Sequence, residues 1–490
     1  MKIDRGCGDN VHVRYNRDTV AHKILITTAI DYVNDVIHIG HAYQKIVADS
    51  LARYYRLFPE NEVFFLTGTD EHGSKTEEES KKLGVEPQAL VDDISAKDRA
   101  QIDSLNISYD RFIRTTDPDH RKVVTDFYNR SLAAGDIYKG SYTGLYCVGC
   151  EEFLKEKDLV NGKCPHHPSK EITTLTEENY FFKWSAYTDL LKTYMLSHPE
   201  FVQHEARKNE MLSFIEQGID DIPISRTTVS FGIPVPNDPR HVLYVWFDAL
   251  INYVTGAPSF WESDDTTIIH LVGKDNVRWH ALLWPAMLMS AGYRMPSIVY
   301  GHDFFTLNGQ KISKSLGNVI RPTDLVAQFG TDAVRYYFLR YGPLRDDVDV
   351  TIPEISRVYT ADLSHGLGNL VSRVAKMAEK EDLEFDSGVP DIGDVEGFSE
   401  FDGYITSFRL DLALEFVWKK IQTLDRYVDH NRVWEQSKDD KKQSLTYLVK
   451  GIREITVCLV PFLPETAAKI AAQYNGSKVT SREGMFPRIS

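Results

Sequence analysis

Ile24-Leu25-Ile26-Thr27-Thr28, the polar loop Asp31-Tyr32-Val33-Asn34-Asp35, and then His38-Ile39-Gly40-His41 at the head of a helical pattern reaching Tyr55 form the stretch that decides the fold. A short β-branched run bounded by polar residues reads as a strand buried on both faces, and the periodic segment behind it as a helix packed on that strand. Outward from there the grammar repeats. Val63-Phe64-Phe65-Leu66-Thr67 predicts a strand and Ser74 to Leu83 a helix. Far downstream, Thr267-Ile268-Ile269-His270-Leu271-Val272 predicts a strand, Val277 to Ser290 a helix, and Ser297-Ile298-Val299-Tyr300 another strand. Such alternation is that of an α/β protein with a doubly wound parallel sheet. Residues 137–230 break the alternation, so the sheet is expected to be interrupted by an inserted lobe. Beyond Val358, Leu363, Leu367, Leu370, Val371, Val374 and Met377 keep three-and-four spacing, as do stretches around Leu412 to Val428 and Leu445 to Val460. That period predicts an α-helical bundle.

The 490 residues are 42% apolar and 26% charged, the balance of a globular chain with capacity for large cores. No apolar run approaches the roughly 20 residues of a membrane helix. Residues 1–22 carry no apolar signal region, and a cytoplasmic protein is expected. Lys plus Arg (56) against Asp plus Glu (71) leaves a net charge of −15, which excludes nonspecific coating of nucleic acid. The chain stops soon after the helical region, and a monomer is expected.

Three constellations carry chemistry. His38-Ile39-Gly40-His41 sits at a helix N-terminus, where unpaired N–H groups and the dipole favour phosphate. Taken alone, it reads equally as two solvated histidines. Lys311-Ile312-Ser313-Lys314-Ser315 follows a strand and the tight turn of Asn308-Gly309. Two ammonium groups and two hydroxyls on one loop can grip a triphosphate and stabilise charge as pyrophosphate leaves. Cys147 and Cys150, two residues apart, and Cys164 and His167, with the same spacing, are separated by thirteen residues. Two such knuckles close a tetrahedral site for one structural Zn2+, with His166 as an alternative fourth ligand.

The histidine and lysine motifs, at the two ends of one interrupted sheet, resemble the two signatures of the class I aminoacyl-tRNA synthetases. The resemblance extends to the methionyl-tRNA synthetases through Thr67-Gly68-Thr69-Asp70-Glu71-His72-Gly73, Tyr244-Val245-Trp246-Phe247-Asp248-Ala249, Gly273-Lys274-Asp275 and His280. It covers nearly the whole chain from Lys23. It implies a Rossmann-like catalytic core split by the zinc-knuckle insertion and followed by a helical anticodon-binding domain. The partners implied are ATP with Mg2+, L-methionine and tRNA(Met).

By the same resemblance, His38, Gly40 and His41 contact the phosphates of ATP, with Lys311, Ser313 and Lys314 on the departing pyrophosphate. Catalysis is thereby assigned to His38, His41, Lys311 and Lys314. Lys274 and Asp275 take the adenosine, and Arg226 resembles the active-site arginine, although it also reads as half of a surface ion pair. Asp70 takes the substrate ammonium; its bland alternative is an N-cap for the helix near Ser74. Ile30, Tyr32, Trp246, Ala249, Leu250, Tyr253, Asn276 and His280 match the methionine pocket, with Tyr32 or His280 as donor to the sulfur. On spacing alone Trp246 and Tyr253 would be core residues. Asn369, Arg373 and Trp434 match the anticodon readers, against a core tryptophan and a solvated arginine as the plainer reading.

Asp31 and Leu250 stand where the family usually or often has proline, and Leu283 is aliphatic; these bear on the shape of the pocket. The organisation expected is a tail at 1–22, catalytic halves at 23–136 and 231–320, and the insertion at 137–230. A linking subdomain at 321–358 and the anticodon-binding domain at 359–490 complete it. A synthetase for leucine, isoleucine or valine would need a larger insertion, and one for cysteine would place the cysteines in the active site. A non-catalytic scaffold would need none of His38, His41, Lys311 and Lys314.

Overall fold

The computed structural model describes residues 22–149, 152–154, 156, 159–165, 167–312 and 318–489. Cys150, His166, Ser313, Lys314 and the first 21 residues, for which the sequence carries expectations, lie outside the described residues, as does the side chain of Lys311.

Seven strands build the central sheet: β1 (Lys23–Thr28), β2 (Asp31–Tyr32), β3 (Glu62–Asp70), β4 (Arg111–Arg114), β5 (Val202–Gln203), β6 (Thr266–Gly273) and β7 (Ile298–His302). They run β4–β3–β1–β6–β7–β5, with β2 paired to the C-terminal end of β3, and every pairing is parallel. Lys23 stands opposite Thr266 and Thr28 opposite Leu271, so the two halves of the sheet meet at its centre. β1 is apolar on both faces because both are covered: Ile24 and Ile26 enter one core and Leu25 the other.

The interruption is built on an antiparallel pair of 11-residue strands, Ile137–Cys147 and Ile172–Phe182. Helices Thr188–Ser197 and Glu205–Glu216 follow, and between them β5 returns to the central sheet as its edge. A two-residue edge strand has no periodicity to read, which is why this return is silent in the sequence. Helices Asn369–Lys380, Leu410–His430, Lys438–Leu459 and Pro464–Tyr474 make the helical C-terminal part at the expected spacing.

Helix Ile39–Tyr55 crosses from β1 and is buried along nearly its whole length. Two-thirds of the way along it, Asp49 is fully buried against Arg335 of helix Thr331–Tyr341, Oδ2 to Nη1 2.7 Å. The carboxylate also accepts from Arg53 (2.7 Å) and from the N–H and hydroxyl of Ser108 (2.7 and 2.6 Å). Arg335 also donates to the carbonyls of Leu105, Pro461 and Phe462. Burial by itself would raise the Asp49 carboxyl, but Arg335, Arg53 and Ser108 together hold it below the ordinary value. Its stabilisation is therefore present above about pH 4 and fades as the pH falls through the lowered value. Arg335→Leu is expected to cost about 3–5 kcal/mol of unfolding free energy, because it strands a buried carboxylate. Denaturant titration checks this, and the double change Asp49→Leu, Arg335→Leu should recover most of the loss.

Candidate active site

The backbone leaves β1 and enters the long helix at His38, whose ring is the cap. Gly40 N–H donates to His38 Nδ1 at 3.0 Å, and His38 N–H donates to His41 Nδ1 at 3.3 Å, a reciprocal pair at the helix start. Because each Nδ1 accepts, each neutral ring carries its proton on Nε2. The rings lie 4.1 Å apart. A Cβ at Gly40 would stand 2.9 Å from the His38 ring, so a larger residue there would displace the capping imidazole. Two imidazole N–H donors beside the dipole of a helix start make a corner of the chemistry that suits an anion.

That corner opens into a cavity of about 520 Å³ at the C-terminal ends of the parallel strands, the crevice where open α/β sheets bind ligands. His38, Gly40 and His41 line it together with Asp275. So do Ile30, Tyr32 and Asp70 from β1 to β3, Trp246, Ala249, Leu250 and Tyr253 from two short helices, and Asn276 and His280 beyond β6. Asp70 is not a helix cap, since the helix Ser74–Leu83 is capped by Gly73. Trp246 stacks on Trp279 at 4.6 Å between ring centres, giving the cavity an aromatic wall, whereas Tyr253 is wholly buried.

His280 sits on a π-helical turn, Trp279–Leu283, of the kind found at functional sites. Its Nδ1 lies 2.8 Å from the Asn276 carbonyl and its Nε2 2.7 Å from the Tyr253 hydroxyl. A carbonyl only accepts, so Nδ1 carries the proton and Nε2 accepts from Tyr253. Both nitrogens are thus engaged, and His280 has no N–H for a thioether, which removes it as donor to a sulfur. Burial lowers its pKa to about 4, so it stays neutral at physiological pH.

Behind the wall, Asp248 is fully buried and accepts from His72 Nδ1 (2.6 Å) and His120 Nε2 (2.9 Å). This links the Asp70 loop to the Trp246 helix. Burial pushes the Asp248 carboxyl up, but the two histidines outweigh it and hold it at about 2.

On the nucleotide side the structure is more selective. Lys274 is not among the cavity-lining residues; its ammonium is spent on Asp303 (2.9 Å) and Asp347 (2.6 Å). Arg226 is also outside the wall, buried with its guanidinium 4.4 Å from the Tyr244 ring centre and donating to the Ser225 carbonyl at 2.9 Å. The backbone of Lys311 pairs with Thr306 in a short hairpin. The sequence reading missed His302, Asp303 and Phe304, which line the cavity at the last residue of β7 and the two that follow. The signal available was their place at the carboxyl end of a predicted strand.

Cys147, Cys164 and His167 bring their ligand atoms within 4.8 Å of one another, with both cysteines fully buried. Sulfurs bound at about 2.3 Å to one tetrahedral ion stand at comparable separations, so the group fits a metal. The His167 ring fills the place of a Cβ at Gly149, 2.4 Å away. Far from the cavity, the Arg373 guanidinium lies 5.9 Å from the Trp434 ring centre and pairs with Asp425 and Asp429. Trp434 is 46% exposed, hence no core residue, and Asn369 is exposed one helical turn before Arg373.

Because the Asp248 carboxyl is held below its ordinary value, its contribution to stability is full above about pH 4 and lost as the pH falls towards 2. Asp248→Ala is expected to cost about 1–3 kcal/mol for each histidine donor it orphans and to flatten that acid limb. Unfolding followed at pH 7 and pH 3 checks both.

A family model described as tRNA synthetases class I (M) matches residues 24–175 and 169–375. A methionine–tRNA ligase of Caldanaerobacter subterraneus is 39% identical over 505 residues, 95% of this chain and 78% of that one. One from a Nostoc species is 40% identical over 475 residues, 91% and 89% of the two chains. The methionyl-tRNA synthetase of Mycobacterium tuberculosis, solved in complex with methionyl-adenylate, superposes with a TM-score of 0.87 at 35% identity, covering 95% of this chain and all of that one. Sequence and architecture thus agree over nearly the full length, and the chain belongs to the methionyl-tRNA synthetases of class I.

Proposed function

We propose that this protein activates L-methionine with ATP and transfers the methionyl group to tRNA(Met). A carboxylate oxygen of methionine attacks the α-phosphorus of ATP as the bond to pyrophosphate breaks, and the terminal ribose hydroxyl of the tRNA then displaces AMP. The observation that carries the reading is the single cavity in which the His38–His41 anion corner faces Asp70 and the aromatic wall of Trp246. No covalent enzyme intermediate is needed, so catalysis rests on positioning and charge stabilisation.

His38 and His41 offer Nε2–H to the phosphates, and the Gly40 backbone admits them. Asp70 takes the ammonium, while Ile30, Ala249 and Leu250 with Trp246 enclose the thioether chain. Tyr32 is the donor to sulfur, and Tyr253, Asn276 and His280 shape the floor. Asp275 takes the adenosine. Lys274 and Arg226 act on the nucleotide only if they leave the partners they hold here. Lys311, Ser313 and Lys314 grip the pyrophosphate, and Mg2+ accompanies ATP. Cys147, Cys150, Cys164 and His167 hold one structural Zn2+, which the short separation of three of their ligand atoms supports. Asn369, Arg373 and Trp434 read the anticodon by stacking and edge contacts. Among the described residues no helix is long and apolar enough to cross a membrane, and we place the protein in the cytoplasm.

Amino-acid-dependent ATP–pyrophosphate exchange tests the chemistry without tRNA. Exchange with methionine, and not with leucine, isoleucine, valine or cysteine, is expected; activity with another amino acid would keep the fold and discard the substrate. Lys314→Ala is expected to slow adenylate formation by about 10²–10³-fold, the scale for one lost stabiliser. Elemental analysis of the purified protein is expected to return about one zinc per chain, the content of one such site.

A further inference from the structure

Lys45 and Asp31 form a charged pair in and behind the cavity wall that the reaction as described does not use. Lys45 lies one turn beyond His41 on the long helix and is fully buried; Asp31, on β2, lines the cavity and is 5% exposed. The ammonium donates to Asp31 Oδ1 at 2.6 Å, to Gln44 Oε1 at 3.3 Å and to the Ala29 carbonyl at 3.4 Å. Gln44 in turn donates to the Leu271 carbonyl at 2.6 Å, and that carbonyl also accepts the Ala29 N–H at 3.2 Å. The second Asp31 oxygen is buried with no hydrogen-bond partner among the described residues. Four pieces of backbone, the residue after β1, β2, the second turn of the helix and β6, are tied at this point.

A buried ion pair is a poor device for stability, since an apolar pair of similar volume holds a core at least as well. What it supplies is fixed geometry, and the geometry fixed here is between two subsites. Ile30 and Tyr32 flank Asp31 in the amino-acid subsite, while His38 and Gly40 head the helix that carries Lys45. Attack requires the reacting oxygen and phosphorus to be held near 3–3.5 Å, and a displacement of about 1 Å costs on the order of 10²-fold.

We propose that Lys45 and Asp31 are positioning residues that fix the amino-acid subsite against the phosphate subsite, so that methionine and ATP each tighten the binding of the other. The inference rests on the proposed function and assigns a division of labour within it.

The test uses the full-length zinc-replete protein and the double variant Asp31→Leu, Lys45→Met, with Asp31→Asn as a second variant should the double fail to fold. Methionine binding is followed by intrinsic tryptophan fluorescence, with and without a non-hydrolysable ATP analogue, and exchange kinetics by pyrophosphate incorporation. In the native protein the analogue is expected to tighten methionine. In the double variant, methionine and analogue alone should bind within about twofold of native while the mutual tightening disappears and kcat for exchange falls about 10- to 100-fold. Asp31→Asn should lose part of both. Native coupling and kcat in the double variant would overturn the proposal, leaving the pair merely structural. So would native protein in which the analogue leaves methionine affinity unchanged, or a tenfold loss of methionine binding without nucleotide, which would make Asp31 a direct ligand. Native protein that binds neither methionine nor the analogue would instead refute the underlying function.

Discussion

The buried contact between Arg335 and Asp49 ties the long helix behind the central sheet to the C-terminal helices. Asp49 is part of the helix whose first turn makes the anion corner, and Arg335 grips carbonyls at Leu105, Pro461 and Phe462. The same guanidinium therefore positions the crossing helix, the turn after a surface helix and the bend between the last two long helices. With about 1.5 Å of rise per residue, the eleven residues from His38 to Asp49 place this joint some 16 Å from the helix start. One uninterrupted helix therefore joins this contact to the His38–His41 corner.

Histidines show how burial assigns roles. His38 and His41 stand at a helix start and accept backbone N–H groups, which fixes their tautomer and turns Nε2–H outward from the cap. His270, His280 and His302 are buried, and burial lowers the pKa of each. Of these three, His280 and His302 line the cavity, so that wall carries imidazoles biased toward the neutral form.

Much of the fold was legible because the strands at Ile24 and Thr267 are buried on both faces and advertise it with β-branched runs, and because the C-terminal helices expose a clear apolar stripe. The return of Val202–Gln203 to the sheet edge was not, being two residues long. The π-helical turn at Trp279–Leu283 was read as ordinary helix, since one extra residue per turn leaves no mark on an apolar segment. At the site, the resemblance supplied residues that the structure draws around one cavity. What it did not supply were pairings between distant elements: Lys45 with Asp31, Asp248 with His72 and His120, Lys274 with Asp303 and Asp347. Each depends on which faces meet in three dimensions, and each decides whether a charge is available to a ligand or already committed.

The interruption of the sheet has a consequence for how the chain is made. Thr27 and His270, neighbours at the centre of the sheet, are 243 residues apart in sequence. At about 5–20 residues per second of synthesis, β1 waits roughly 12–50 s for β6 to appear. In that interval the edge that β1 will offer to β6 is open and apolar, a hazard for aggregation. The antiparallel pair of the insertion joins strands separated only by residues 148–171, far closer in sequence than β1 and β6, and can fold first, so the nascent chain carries a formed lobe beside an unfinished sheet. A protein built this way has reason to meet a chaperone before it ever meets its substrates.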